Sequence, residues 1–232
     1  MPDPRPCNTH LDIVKFRRGL PHFAKALKRQ RKIKVVAFGS SSTAGAPDGV
    51  MPFPPRLETL LRSEKQFFGR LIDVINRGVG GQEAPEEFSR IESDVVTEAP
   101  ALVIWQVGTN AVYKDGYVFD EVQATFEAGL DVLTALQLDV VVMDSQYTQA
   151  IDKKAERADK YMSMIAEVAA DKQVNLFRRF ALMKQWIKDG ISLAELDDGH
   201  DPFLHTGEWA TGCVTRALFE AINEAVTREA IT

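Results

Sequence analysis

The chain has 232 residues, 45% of them hydrophobic and 26% charged, with a formal net charge of −5. That length and apolar content suit one α/β domain with a substantial core, and the acidic balance offers nucleic acid no global positive field. No run approaches the roughly 18 apolar residues that span a bilayer.

The start lacks the charged-then-apolar order of an export signal, so a cytoplasmic location is the default expectation unless a leader has been trimmed. Cys7 lies in a Pro-rich start and Cys213 in a predicted helix. They suggest neither a disulfide framework nor a metal site.

In chain order, residues 1–8 read as an irregular tail, and an amphipathic segment follows from about 11 to 29. It ends in Lys28-Arg29-Gln30-Arg31-Lys32, cations that suit the negative end of a helix. Residues 1–32 are therefore expected to form a tail and helix packed on a domain of residues 33–232. Strand-like apolar runs recur at 34–38, 72–75, 102–107, 140–143 and, more weakly, 174–177. Helical stretches lie between them at about 55–64, 85–98, 119–136 and 152–170, with a last helix from about 207 to 228. Such alternation predicts a mostly parallel five-stranded sheet covered by helices on both faces. The stretch 46–55, with its prolines and Asp48-Gly49, reads as a loop, either a plain connection or a substrate-facing one.

The first strand runs into Gly39-Ser40-Ser41-Ser42-Thr43, at the sheet edge where open α/β folds place their chemistry. Taken alone, hydroxylated residues there suit a helix cap or a phosphate cradle equally well. The second strand ends in Asn76-Arg77-Gly78-Val79-Gly80-Gly81, a turn whose spacing does not fit a dinucleotide fingerprint. The third ends in Gly108-Thr109-Asn110, which brings a side-chain amide to the same edge. Near the end of the chain, Asp197-Asp198-Gly199-His200-Asp201-Pro202-Phe203-Leu204-His205-Thr206 supplies imidazoles among carboxylates. A serine nucleophile requires a base and donors for an oxyanion, and these segments hold each of those parts. A metal cluster would leave Ser41 and Asn110 without a role.

In this order the segments resemble the SGNH hydrolase superfamily, the GDSL-type esterases and lipases, over roughly residues 34–222. The resemblance implies a three-layer α/β/α sandwich of flavodoxin-like topology. It makes Ser41 the nucleophile, with Ser40 where the family carries Asp, and Asn110 an oxyanion donor beside the Ser41 amide. Gly81 aligns with the oxyanion glycine, with Gly78 as the fallback. The family's Asp-x-x-His block is altered here, because Pro202 stands at the Asp position before His205. His205 is nevertheless placed as the base and Asp201 as its orienter. Asp197 with His200 is the rival register, and Asp198 is the alternative orienter for His205. Gln146 and Tyr147, after the fourth strand, are candidates to line the substrate pocket.

The implied activity is hydrolysis of a small or carbohydrate-linked carboxylic ester through an acyl-enzyme, with no cofactor and no metal. Acyl transfer to a sugar hydroxyl and an impaired SGNH-like binding module are the alternatives, and the oligomeric state is open.

Overall fold

A computed structural model describes residues 5–45 and 49–231. Part of the expected 46–55 loop and the first residues of the tail therefore lie outside the described residues. Five strands, β1 (Lys32–Gly39), β2 (Leu71–Gly78), β3 (Leu102–Gln106), β4 (Asp139–Met143) and β5 (Asn175–Phe177), pair in parallel in the order β2-β1-β3-β4-β5. Each predicted strand is present, and the sheet is parallel throughout.

The strands are apolar on both sides because both sides are covered. Val35, Ala37, Leu102, Ile104 and Val141 face one core, whereas Val36, Phe38, Val103, Trp105 and Val142 face the other. The first core is closed by α1 (Pro21–Arg29), α3 (Phe53–Ser63), α8 (Arg179–Lys188) and α9 (Glu208–Ile231). Over the second lie α4 (Ala84–Phe88), α5 (Thr109–Tyr113), α6 (Phe119–Thr134) and α7 (Ala155–Asp171). A one-turn helix, α2 (Ser41–Ala44), leaves the end of β1. This is a three-layer α/β/α sandwich.

Local chemistry explains where the helices begin. Pro54 and Pro55 occupy the first turn of α3, where their missing N–H groups would have had no intrahelical acceptor. In the predicted 85–98 helix the chain breaks instead after α4 and resumes as single turns at Ile91–Asp94 and Val96–Glu98. The break lets Arg90 turn inward, its guanidinium donating to the carbonyls of Arg77 at 2.7 Å and Gly39 at 2.9 Å. Those carbonyls sit at the ends of β2 and β1, so Arg90 ties together the edge from which Ser41 emerges.

One expectation fails outright. Cys7 and Cys213 form a disulfide, joining the N-terminal segment to α9 although 206 positions separate them in sequence. Packing brings them together. Trp186 donates its indole N–H to the Asn8 carbonyl at 2.7 Å and meets Trp209 edge to face, with Arg5 over the Trp209 ring. The amphipathic start and α9 share one core, and that shared packing is invisible to cysteine spacing.

Candidate active site

Ser41 is positioned from beneath by Gln106, the last residue of β3. Gly39 has φ +151°, and a Cβ there would come within 2.8 Å of the Gln106 carbonyl. Only glycine lets β1 cross the end of β3 this closely before turning into α2. The Gln106 Oε1 then accepts the Ser40 backbone N–H at 3.1 Å and the hydroxyls of Ser40 at 2.9 Å and Ser42 at 3.1 Å. Because a backbone N–H can only donate, it fixes which end of the Gln106 amide is the oxygen. Ser40 is buried, and its hydroxyl anchors the loop where the related block carries a carboxylate. On the other side, Asn76 Nδ2 donates to the carbonyls of Thr43 at 2.8 Å and Ala44 at 3.2 Å, holding the end of α2. As the first residue of α2, Ser41 has a backbone N–H with no intrahelical acceptor.

His205 Nε2 lies 3.0 Å from Ser41 Oγ. The loop that carries it is pinned at Leu204, whose carbonyl accepts Gln146 Nε2 and Thr148 Oγ1, each at 3.1 Å. The loop also closes on itself. Asp197 and Thr206 form an antiparallel bridge, the Asp198 N–H donates to the His205 carbonyl at 3.0 Å, and the Gly207 N–H donates to the Leu196 carbonyl at 3.0 Å.

This fold-back sets Asp198, and not the expected Asp201, beside the imidazole. Asp198 Oδ2 stands 3.8 Å from His205 Nδ1, with its other oxygen accepting the His200 N–H at 3.0 Å. Asp201 is exposed at the turn, beyond a cis bond to Pro202. His200 is exposed as well, and Asp197 is occupied elsewhere, accepting Gln149 Nε2 at 2.7 Å and the Gly199 N–H at 3.0 Å. The Asp198 to His205 separation exceeds a hydrogen bond. Catalytic contacts often tighten only when substrate is bound.

The glycine turn after β2 runs past Ser41. A Cβ on Gly80 would lie 3.9 Å from that of Ser41, while one on Gly78 would fall 2.1 Å from the Ala44 nitrogen. Gly78 is thus the close-packing glycine that lets α2 rest on β2. Gly81 has φ +81°, and its carbonyl is held by Lys114 Nζ at 2.6 Å and the Tyr117 hydroxyl at 3.2 Å. Its N–H has no hydrogen-bond partner among the described residues. Asn110, buried in α5, donates one Nδ2 hydrogen to the Gln82 carbonyl at 2.9 Å. The turn after β2 and the start of α5 are therefore physically joined.

Two buried residues were not singled out in the sequence. Glu83 Oε1 accepts the N–H groups of Ala84 at 3.2 Å and Gly108 at 2.8 Å, and Oε2 accepts that of Ala111 at 2.9 Å. Burial pushes its carboxyl up, against the pull of these N–H donors. One helical turn on, Glu87 accepts the Trp105 indole N–H at 2.7 Å. Burial, and then the charge of Glu83, hold Glu87 well above the usual carboxylate range. Glu83 followed by Pro85 and Glu86 is a capping-box signature that sequence alone could have yielded.

Gln146 and Tyr147 do not line a pocket at Ser41. Gln146 is fully buried, its Oε1 accepting the Thr109 hydroxyl and sharing the one Ser42 hydroxyl hydrogen with Gln106, each at 3.1 Å, while its Nε2 holds Leu204. Tyr147 packs edge to face on Phe180 and donates its hydroxyl to Asp152. The side chain after β4 turns inward, where Ser42, Thr109 and Leu204 from three neighbouring segments meet its amide. A small cleft of about 20 Å³ beside Ser41 is lined instead by Val50, Pro52, His205, Thr206 and Thr211. Among the described residues no helix is long and apolar enough to cross a membrane.

The sequence matches the profile of the Non-GDSL lipase-like family over residues 6–228. No curated protein matches it. Among solved structures, it is similar to an acetylxylan esterase from Geobacillus stearothermophilus, with 19% identity and a TM-score of 0.68, over 82% of this chain and 94% of that one. It is also similar to an alpha/beta hydrolase enzyme from the metagenome of Lake Arreo, Spain, with 19% identity and a TM-score of 0.66, over 82% and 95%. At this identity the likeness is one of fold.

Proposed function

The chain belongs to the Non-GDSL lipase-like family, and from that premise we propose that it is a serine esterase acting on a small or carbohydrate-linked carboxylic ester. The observation that carries the reading is the 3.0 Å approach of His205 Nε2 to Ser41 Oγ. Ser41 Oγ attacks the ester carbonyl as His205 Nε2 takes its proton. The oxyanion that forms is met by the N–H groups of Ser41 and Gly81 and by the second Nδ2 hydrogen of Asn110, donors set in place before the reaction. Collapse expels the alcohol, which receives the proton from His205, and leaves an acyl-Ser41. Water, deprotonated by His205, then attacks that ester and releases the acid. Asp198, 3.8 Å from Nδ1, faces the imidazole and balances its transient positive charge.

The cleft beside Ser41 supports a short acyl group, since about 20 Å³ holds little more than one water-sized group. An acetyl methyl fits that space. The similar structure from Geobacillus stearothermophilus, named as an acetylxylan esterase, agrees with a carbohydrate-linked acetyl ester.

The test is hydrolysis of p-nitrophenyl acetate and labelling by a fluorophosphonate, in the wild type and in Ser41→Ala. Wild-type turnover and a phosphonylated Ser41, both lost in the variant, are expected. Undiminished hydrolysis by Ser41→Ala would overturn the assignment. The 3.8 Å gap between Asp198 and His205 favours one second reading, an impaired binding module. A folded wild type that neither turns over nor labels would establish that reading instead.

A further inference from the structure

We propose that Glu83 is a positioning residue for the oxyanion site, acting through Asn110; this rests on the esterase reading above. Asn110 is held at both its backbone and its side chain by two consecutive residues of another element. The Glu83 carboxylate accepts the N–H groups of Gly108, the residue that caps α5, at 2.8 Å and of Ala111, in its first turn, at 2.9 Å, one on either side of Asn110. The preceding residue, Gln82, accepts one Nδ2 hydrogen of Asn110 at 2.9 Å. With one amide hydrogen fixed, the planar group leaves its second hydrogen a single direction in which to point. The site needs that direction held, because an oxyanion donor works only if it is aimed before charge develops.

The grip requires a carboxylate. Gly108 and Ala111 each present a donor, and they reach different oxygens of the same group. Glutamine at this position could accept only one of them, and would turn its own NH₂ toward the other. Glu83 is 1% exposed and Asn110 3% exposed, so water cannot readily replace the lost acceptor. Alanine would orphan both N–H groups and free the start of α5 altogether. No intrahelical acceptor is available as a substitute, because first-turn N–H groups of a helix have none.

The same contacts join the turn after β2 to the start of α5. Gly81 and Asn110, the two donors that Ser41 does not itself supply, are linked through residues 82 and 83. A shift of either would carry the other away from the same oxyanion.

The proposal is tested by a double-mutant cycle on p-nitrophenyl acetate hydrolysis with Glu83→Gln, Asn110→Ala and the double variant, with Tm measured for each. If Glu83 acts through Asn110, Glu83→Gln lowers kcat tenfold or more with KM within about twofold, and Asn110→Ala lowers it about 100-fold. The double variant then falls no more than about threefold below Asn110→Ala. Losses that multiply, or a lower Tm with kcat unchanged, would overturn the proposal. Glu83→Asp carries the same cycle should Glu83→Gln not fold. It keeps both oxygens on a shorter stem, and activity nearer wild type than glutamine or alanine is expected. Undiminished activity in Ser41→Ala would defeat the esterase reading itself, an outcome distinct from multiplying losses at residues 83 and 110.

Discussion

Replacing Gln146 with leucine separates support of the site from contact with a ligand. Gln146 joins the Ser41 turn to the His205 loop, with Ser42 and Thr109 donating to its Oε1 and its Nε2 donating to the Leu204 carbonyl, all at 3.1 Å. Each partner keeps another bond after the change: Ser42 has Gln106, Thr109 has Ser145, and Leu204 has Thr148. The loss is therefore three neutral hydrogen bonds at the low end of their range, about 1.5 kcal/mol in sum, partly offset by the more apolar leucine in a fully buried position. For a domain of this size that corresponds to a Tm lower by at most about 3–6 °C.

Activity should suffer more than stability. A displacement of about 1 Å between reacting groups can cost on the order of 100-fold, and Gln146 is the side chain that bonds both to the helix of Ser41 and to the residue before His205. Gln146→Leu is expected to lower kcat by about ten- to 100-fold with KM within about twofold, read from p-nitrophenyl acetate kinetics beside a thermal melt. A raised KM at unchanged kcat would mean that Gln146 contacts substrate after all. A lowered Tm with both constants intact would mean that the bridge between the two loops has no part in aligning them.

Asp198→Asn is expected to lower kcat at least tenfold, whereas Asp201→Asn leaves it within about twofold, and the reverse ranking would restore the orienter read from sequence. Burial raises Asp139 from 3.8 to about 6 and Asp144 from 3.8 to about 7. A raised carboxyl binds its proton more tightly in the folded state, so stability is full below about pH 4, falls as pH rises through the folded value, and is flat above it. Asp139→Asn, which keeps an acceptor for the Phe23 N–H, should remove up to about 3 kcal/mol of that fall between pH 4 and 6; parallel denaturant midpoints for the two proteins would refute it. Denatured, unreduced protein should show no titratable thiol, and reduction of the Cys7–Cys213 bridge should cost about 2–5 kcal/mol, with an unchanged Tm in dithiothreitol counting against it. Because such bonds persist in oxidising compartments and rarely in a reducing cytoplasm, the same titration on protein from its native source bears on the cytoplasmic expectation.

What the sequence disclosed and what it hid divide along a physical line. The strands were legible because both faces of a parallel sheet are covered, so 102–105 in β3 and 140–143 in β4 read as unbroken apolar runs. The pairing of Ser41 with His205 was legible as geometry because Ser41 leaves a strand end through a turn of small residues and the chain passes directly from His205 into α9. Asp198 stood only as an alternative to Asp201, since counting positions before a histidine assumes a chain that runs straight into it. Here the antiparallel bridge between Asp197 and Thr206 folds the loop back and sets a carboxylate seven positions upstream beside the ring. Gln146 was misread for a related reason. A polar residue at a strand end can face a ligand or a neighbouring loop, and only the position of Leu204, far along the chain, decides between them.

Ser40 shows the same dependence on distant residues working in the opposite direction. A serine in place of an aspartate suggests a weakened nucleophile loop when the motif is considered by itself. In the fold, Gln106 at the end of β3 accepts both the Ser40 N–H and its hydroxyl. A neutral side chain here serves a buried position that a carboxylate could occupy only at the cost of desolvating its charge. The substitution is thus compatible with a rigid loop because the strand beside it ends in an amide. How firmly Ser41 is held is set by the pair Ser40 and Gln106, 66 positions apart.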